Sequence, residues 1–329
     1  MNTQPTSDSR LIENCLRDAE FVELPGYRRN KVRDTYQLPG RRRLLIATDR
    51  QSAFDQVLGV VPHKGQVLTQ TARYWFDETA DICPNHVLSY PDPNVVLAKD
   101  LDMLPLEIVV RSYLTGSTNT SLWPSYEKGE RVLYGHTFPD GMVKNQRLDR
   151  PIITPTTKPL DGGHDEPVTE AEILRDRPVT PAQWEALCSV SLALFARGQQ
   201  VAAEKGLILV DTKYEFGVDQ DGTLVVADEI HTPDSSRFWL AGSYDDRFAA
   251  GEEPESLDKE FLRLWVTRRC DPYREPIPDI PAETLIEFSN KYVNLFEQVT
   301  GLAFRAPEAG TPVRERIRRA LATELPEFF

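Results

Sequence analysis

The chain has 329 residues, 40% of them apolar, enough to bury a sizeable core in one large domain or two smaller ones. Its 51 acidic residues against 38 basic ones give a formal charge of -13, which argues against general binding to nucleic acid or to an anionic membrane, so any anionic substrate must meet a local basic pocket. Cys15, Cys83, Cys188 and Cys270 show no CxxC spacing, and neither a signal peptide nor a run near ~18 apolar residues is present, so a cytoplasmic protein with free thiols is expected.

Residues 9 to 20 place Leu11, Ile12, Cys15, Leu16 and Ala19 at helical spacing and predict a short packing helix. Two strands follow, Lys31 to Leu38 and Arg43 to Thr48, around a Pro39-Gly40 turn. Lys31 and Arg33 share a face of the first strand, where they either cover a triphosphate or keep a sheet edge soluble. Arg41 to Arg43, beside the turn, read as solvated. Lys64-Gly65 precedes a helix with Leu68, Ala72, Trp75 and Phe76 inward, and the lysine there either meets an anion or is simply exposed.

An apolar segment, a bend at Pro105 and a strand from Leu106 to Arg111 come next, ending in Thr115-Gly116-Ser117-Thr118. A guanidinium at the end of a strand interior needs a partner, so Arg111 is expected to meet either Glu107 or a bound anion. From Asn119 to Pro167 the composition turns to proline, glycine and polar residues, a long irregular insertion of the kind that is functional or mobile. It contains Thr154 to Lys158 and His164-Asp165-Glu166. Adjacent residues rarely converge on one metal ion, so these last three are candidates for substrate contact or acid-base work.

Thr180-Pro181-Ala182-Gln183 opens the clearest helix, with a threonine cap, proline first and glutamine three after the cap, ending at Lys205-Gly206. The segment 207 to 237 then reads as a hairpin around Asp221-Gly222, with Asp211, Lys213 and Glu215 on one strand face. A two-residue turn sets Glu215 opposite Asp228, a four-residue loop sets Lys213 there, and only an odd-length loop breaks the pattern. Facing carboxylates repel unless a cation or shared proton intervenes, and hard oxygen donors without cysteine suit magnesium shared with nucleotide phosphates. Ser235, Ser236 and Arg237 follow as anion donors, so the region reads as a phosphate-handling active site. Three further helices, Ser256 to Arg268, Pro281 to Thr300 and Thr311 to Ala322, read as scaffold.

Seven landmarks stand in order: KVRDTY, DRQSAFD, PHKGQVLTQ, LPLEIVVRSYLTGS, TPTTK with HDEP, LVDTKYEFG and DEIHTPDSSRFW. From about Lys31 to Trp265 the chain closely resembles the SAICAR synthetases of purine biosynthesis, in their longer single-chain form. The resemblance implies an α+β, two-lobed fold with the active site in the cleft: a kinase-like N-terminal nucleotide-binding lobe over 1–104, and an ATP-grasp-like substrate and metal lobe with C-terminal helices over 105–329. It implies a monomeric carbon-nitrogen ligase. With ATP and Mg2+ the enzyme would join carboxyaminoimidazole ribonucleotide (CAIR) to L-aspartate through an acyl phosphate, giving SAICAR, ADP and phosphate.

By the same resemblance Lys31 and Arg33 would lie over the ATP phosphates, Asp102, Met103 and Leu104 would line the adenine, and Lys158 and Lys213 would face phosphates. Glu215 and Asp228 would hold magnesium. Arg111, Ser117, Ser236 and Arg237 would grip the 5'-phosphate and carboxylate of CAIR, Asp165 and Asp211 would serve beside Lys213 at the reacting groups, and Lys64 would meet L-aspartate. Asn30 stands where the family usually has glycine, and asparagine tolerates positive φ better than other side-chain residues. Two rival readings remain at this stage. Asp211-x-Lys213 beside magnesium carboxylates would equally serve a small-molecule kinase, which aspartate dependence of ATP turnover separates; a silent nucleotide-binding protein would bind ATP without turnover.

Overall fold

The structure is a computed structural model describing residues 7–158, 165–308 and 310–329. They divide into two compact units, one comprising the chain up to Tyr74 with His86–Leu101 and Trp265–Phe329, the other Trp75–Asn85 with Asp102–Leu264.

In the first unit, α1 (Ser7–Glu13) is shorter than the spacing predicts. The chain leaves the helix because Leu16 and Ala19 give their N–H groups to the Asp49 and Asp34 carboxylates, each at 2.7 Å. β1 (Tyr27–Arg29), β2 (Arg33–Leu38) and β3 (Arg42–Ala47) follow, then the hairpin of β4 (Arg50–Ala53) and β5 (Gln56–Val60). After α2 (Lys64–Glu78), which carries the boundary between the units, β6 (Val87–Asp92) and β7 (Val95–Lys99) complete an antiparallel sheet in the order β1-β2-β3-β7-β6. Leu68, Ala72, Trp75 and Phe76 are buried, as the helical period requires. Lys31 lies in the turn that joins β1 to β2, where Asn30 N–H donates to Arg33 O at 3.1 Å, and not on the strand with Arg33.

The second unit opens with β8 (Asp102–Leu114), which runs through Pro105 instead of bending there. A bulge in the pairing accommodates the proline: Glu107 pairs with Glu215 but Met103 with Gly217, so the chain skips a ladder bond Pro105 is unable to donate. The described part of the segment expected to be irregular is structured, residues 159–164 lying outside it. It forms α3 (Leu122–Glu127), the hairpin β9 (Val132–Leu133) and β10 (His136–Thr137), then β11 (Gln146–Ile153) and β12 (Thr156–Thr157), both paired to β8. Apolar residues hold it, with Leu122, Tyr126, Leu133 and Phe138 buried in one cluster.

α4 (Glu170–Asp176) and α5 (Pro181–Glu204) each begin in a complete capping box, from Thr169 and Thr180. The buried stripe of α5, including Trp184, Leu187, Leu194 and Phe195, covers β13 (Leu207–Val218). β14 (Leu224–Ala227) and β15 (Ser236–Leu240) follow, giving a sheet ordered β11-β8-β13-β14, with β15 paired to β13 beyond the end of β14. α6 (Ala241–Ala249), unpredicted, and α7 (Glu260–Thr267) come next, the latter carrying the second boundary. α8 (Ala282–Thr300) and α9 (Val313–Glu324) group with the first unit, whereas the expectation assigned all of 105–329 to the second lobe. Burial accounts for the grouping, since Val313, Ile317 and Leu321 share a core cluster with Tyr36, Leu44 and Val95.

Candidate active site

β13 organises the second unit. It pairs with β8 along one edge and with β15 and then β14 along the other. Alternation puts Asp211, Lys213 and Glu215 on one face, and the neighbouring strands bring charged residues to the same face.

At one end of that face, Asp211 is flanked by Arg111 on β8 and Arg237 on β15, its Cα partners on the two sides. Asp211 Oδ2 accepts from Arg237 Nη1 at 2.6 Å and from Arg111 Nη1 at 3.3 Å. All three residues are at most 7% exposed. Arg111 also donates to Thr154 Oγ1 at 2.8 Å and to Thr120 O at 3.0 Å. Its partner is therefore Asp211, and Glu107 is engaged elsewhere. Arg237 meets a second carboxylate, Glu260, at 3.3 Å. Burial alone would lower the Arg237 pKa, but Asp211 and Glu260 outweigh it and raise it; burial likewise would raise Glu260, but Arg237 and Arg263 hold it down at about 2. Ser117 lies beside Glu260, its hydroxyl buried and without a hydrogen-bond partner among the described residues.

Gly116 makes this approach possible. A Cβ there would sit 2.3 Å from Ser121 Oγ and 2.9 Å from Arg237 Nη2, and its φ is +101°. Ser236 is the exception among the expected anion donors. Strand alternation turns it to the reverse face, where its hydroxyl lies 2.8 Å from Thr212 Oγ1, so it does not join Arg237.

Two residues along β13 from Asp211, Lys213 Nζ donates to Glu107 Oε1 at 2.6 Å and to Glu215 Oε1 at 3.0 Å. Lys158 Nζ donates to the other Glu215 oxygen, and Glu107 Oε2 accepts from Thr156 Oγ1 at 3.3 Å. Burial would lower the Lys213 pKa, but Glu107, Glu215 and Asp228 raise it well above its ordinary value, so it is a cation at any physiological pH. Glu107 is the residue that reading the sequence missed.

The carboxylates do not pair as expected. Glu215 stands opposite Ala227, with Val218 opposite Leu224, so an odd loop of residues 219–223 joins the strands. Asp219 closes that loop by accepting N–H bonds from Asp221 and Thr223, each at 3.1 Å. Asp228 instead leaves the strand with φ 62° and acts on Lys213 through its charge. Among the described residues no group of three or more His, Cys, Asp or Glu is placed to hold a metal ion. A fully protein-made cage is thus absent from them; what remains is an oxygen-only donor set of one or two carboxylates, the kind magnesium takes when nucleotide phosphates supply its other ligands.

Asp102, Met103 and Leu104 form the first turns of the β8 pleat, Asp102 and Met103 pairing with Val218 and Gly217. Asp165 is exposed, and His164 lies outside the described residues. In the first unit, Lys31 Nζ donates to Asp55 Oδ1 at 2.6 Å on the surface, and Arg33 pairs with Ala47. Arg50 fixes the turn that carries Lys31: it donates to Asn30 O at 2.8 Å, Lys31 O at 3.3 Å and the buried Asp34 carboxylate at 2.6 Å. Asn30 itself is not among the residues of positive φ, so nothing in its backbone calls for glycine. Lys64 is fully buried beside Asp49 at the start of α2, against the exposure its turn position suggested.

The profile of the SAICAR synthetase family matches residues 27–280. The chain belongs to that family. A protein of Agrobacterium fabrum is 55% identical over 311 residues, covering 94% of this chain and 98% of its own length. The phosphoribosylaminoimidazole-succinocarboxamide synthase of Legionella pneumophila strain Paris is 51% identical over 290 residues, 88% of this chain and 92% of that one. Among solved structures, the SAICAR synthase of Saccharomyces cerevisiae complexed with SAICAR superposes with a TM-score of 0.74 at 30% identity, over 88% of this chain and 99% of that one. The α+β fold is that of the SAICAR synthetases.

Proposed function

We infer that the chain is the ligase of this family, joining the carboxylate of CAIR to the amine of L-aspartate with ATP to give SAICAR, ADP and phosphate in purine biosynthesis. The observation that carries the reading is one strand face holding two buried arginines at Asp211 and two lysines at Glu215, roughly 13 Å apart along β13. An anionic nucleotide and a transferring phosphoryl group need such neighbouring cationic sites.

A carboxylate is a poor electrophile. Phosphorylation by ATP would turn it into an acyl phosphate, with phosphate as the group that departs when the aspartate amine attacks. Arg111 and Arg237, held by Asp211, are proposed to bind the phosphate and carboxylate of CAIR, with Ser117 beside them; planar guanidiniums suit both groups. Ser236 reaches this site only through Thr212 and is proposed to hold the strand in register. Lys213 and Lys158 are proposed to meet the transferring phosphoryl oxygens, their release from Glu107 and Glu215 being offset by those oxygens. Asp165 is proposed as a hydrogen-bonding group near the reacting atoms.

Glu215 and Asp228 are proposed to hold Mg2+, which when bound would neutralise charge on the ATP phosphates. Lys31 and Arg33, in the first unit, are proposed to cover those phosphates, and Asp102, Met103 and Leu104, at the start of β8 in the second, to line the adenine. The aspartate contact assigned to Lys64 has the least geometric support, because that side chain is buried beside Asp49.

No described helix is long and apolar enough to cross a membrane. A cytoplasmic setting is proposed from the four free cysteines. A monomer is proposed, which light scattering of the purified chain checks. The deciding experiment follows phosphate release from ATP and magnesium with CAIR, with and without L-aspartate, and SAICAR by absorbance. Turnover that needs all three substrates is expected; ATP turnover on a hydroxyl compound without aspartate would overturn the reading.

A further inference from the structure

Tyr134 and Gly135 are the two residues between β9 and β10, with Leu133 paired to His136. Both have positive φ, 54° and 83°, as a type I′ turn requires. Asparagine, aspartate or glycine normally takes the first of these positions, and a tyrosine there is strained. Such strain persists only where the surroundings over-determine it. Here the side chain shows what does so. The Tyr134 hydroxyl donates to Thr120 O at 2.7 Å, and Arg111 Nη2 donates to the same oxygen at 3.0 Å.

Phenol and guanidinium thus converge on one carbonyl. Burial raises the Tyr134 pKa and the nearby Arg111 charge opposes the rise without reversing it, so the hydroxyl stays protonated and remains a donor. Thr154 at Nε and Asp211 at Nη1 fix two other edges of Arg111. Thr120 O with Tyr134 fixes the third. A guanidinium recognises an oxyanion through parallel N–H groups in one plane, so what sets that plane sets the affinity.

We propose that Tyr134 is a positioning residue for the nucleotide substrate: the strained β9–β10 turn presses its hydroxyl onto Thr120 O and so holds the Arg111 guanidinium in the plane that meets the substrate's anionic group. The proposal rests on the reading of Arg111 as a CAIR contact. It assigns a role to the β9–β10 hairpin of the insertion.

The test is steady-state kinetics with thermal unfolding of the full chain as wild type, Tyr134→Phe, Tyr134→Asn, Arg111→Lys and the Arg111→Lys/Tyr134→Phe double variant. Tyr134→Phe is expected to raise KM for CAIR roughly tenfold, with kcat and KM for ATP and aspartate little changed. Tyr134→Asn removes the hydroxyl and relaxes the turn but also removes the ring packed on the Leu122–Phe138 cluster, so KM for CAIR rises similarly with kcat kept, whichever way the unfolding midpoint moves. The double variant is expected to be no worse than Arg111→Lys alone. If Arg111→Lys raises KM for CAIR and Tyr134→Phe leaves it alone, the Tyr134 proposal falls and the Arg111 reading stands. If Arg111→Lys leaves KM unchanged, the Arg111 reading itself falls. Parallel losses of kcat and unfolding midpoint in both Tyr134 variants would show a merely structural tyrosine and overturn the proposal.

Discussion

Replacing Asp211 by asparagine removes one charge and almost no volume. Among the described residues Asp211 Oδ2 is the one carboxylate oxygen shown against Arg111, at 3.3 Å, and it also takes Arg237 at 2.6 Å. In Asp211→Asn, Arg237 keeps Glu260 at 3.3 Å, but Arg111 keeps only the neutral acceptors Thr154 Oγ1 and Thr120 O. Breaking a buried ion pair from one side costs roughly 3–5 kcal/mol, and the surviving Glu260 argues for the lower end, about 3 kcal/mol. For a unit of this size that is a fall of on the order of 10 °C in unfolding midpoint. The same arithmetic gives a second, signed effect. An anion that binds the folded state stabilises it by mass action, and it binds better where a carboxylate no longer competes for the guanidiniums. Inorganic phosphate should therefore raise the midpoint of Asp211→Asn more than that of wild type. Thermal unfolding followed by circular dichroism near neutral pH, in a sulfonate buffer with and without added phosphate, measures both. An Asp211→Asn midpoint within about 2 °C of wild type would refute the buried-charge argument; equal phosphate shifts in the two proteins would refute the anion site.

Lys213→Met should lower kcat by roughly a hundredfold or more, and also lower the unfolding midpoint, since Glu215 keeps Lys158 but Glu107 loses its cation; single-turnover formation of SAICAR under conditions where the variant is folded checks it. Glu215→Gln with Asp228→Asn should abolish ATP turnover at ordinary magnesium; persistence of turnover in that titration would sink the metal assignment. Asn30→Gly should leave KM for ATP within about twofold, because Asn30 is not held at positive φ, its bonds to Arg33 and Arg50 are made by its backbone, and its side chain gives only a long 3.4 Å bond to Thr35 Oγ1. Three buried acids set a stability optimum on the acid side. Burial raises Asp258 and Asp49 each from 3.8 to about 6, so their contribution is complete below 3.8 and is lost as pH rises through 6; Glu260, held down from 4.5 to about 2, contributes above 4.5 and loses that as pH falls toward 2. Denaturant midpoints across pH should therefore decline from pH 5 to 7, and Asp258→Asn should remove part of that decline while Asp49 keeps the rest.

The period of two along β13 was legible: Asp211, Lys213 and Glu215 share a face because nothing interrupts the strand. The capping boxes of α5 were legible too, since they are local and satisfy N–H groups only a few residues away. The register of the hairpin was not, and its cause lies in one side chain. Asp219 accepts the N–H groups of Asp221 and Thr223, making a five-residue loop where Asp221-Gly222 alone suggested two or four. An aspartate two residues before such a turn was the available signal.

Partners across strands were illegible for a different reason. Periodicity states which face a residue occupies but not which strand lies beside it, and Arg111 is 100 residues from Asp211 in sequence. One contact would have sufficed. In an antiparallel pair, moving four residues back along β8 from Arg111 matches moving four forward along β13 from Asp211, which sets Glu107 opposite Glu215. The lysine-carboxylate cluster is thus not an independent fact about this fold. It follows from the arginine cluster once the register is set, so a bulge inserted between Arg111 and Glu107 would let one set of charges form only by displacing the other, and the bulge at Pro105 lies just beyond Glu107 and leaves both sets intact.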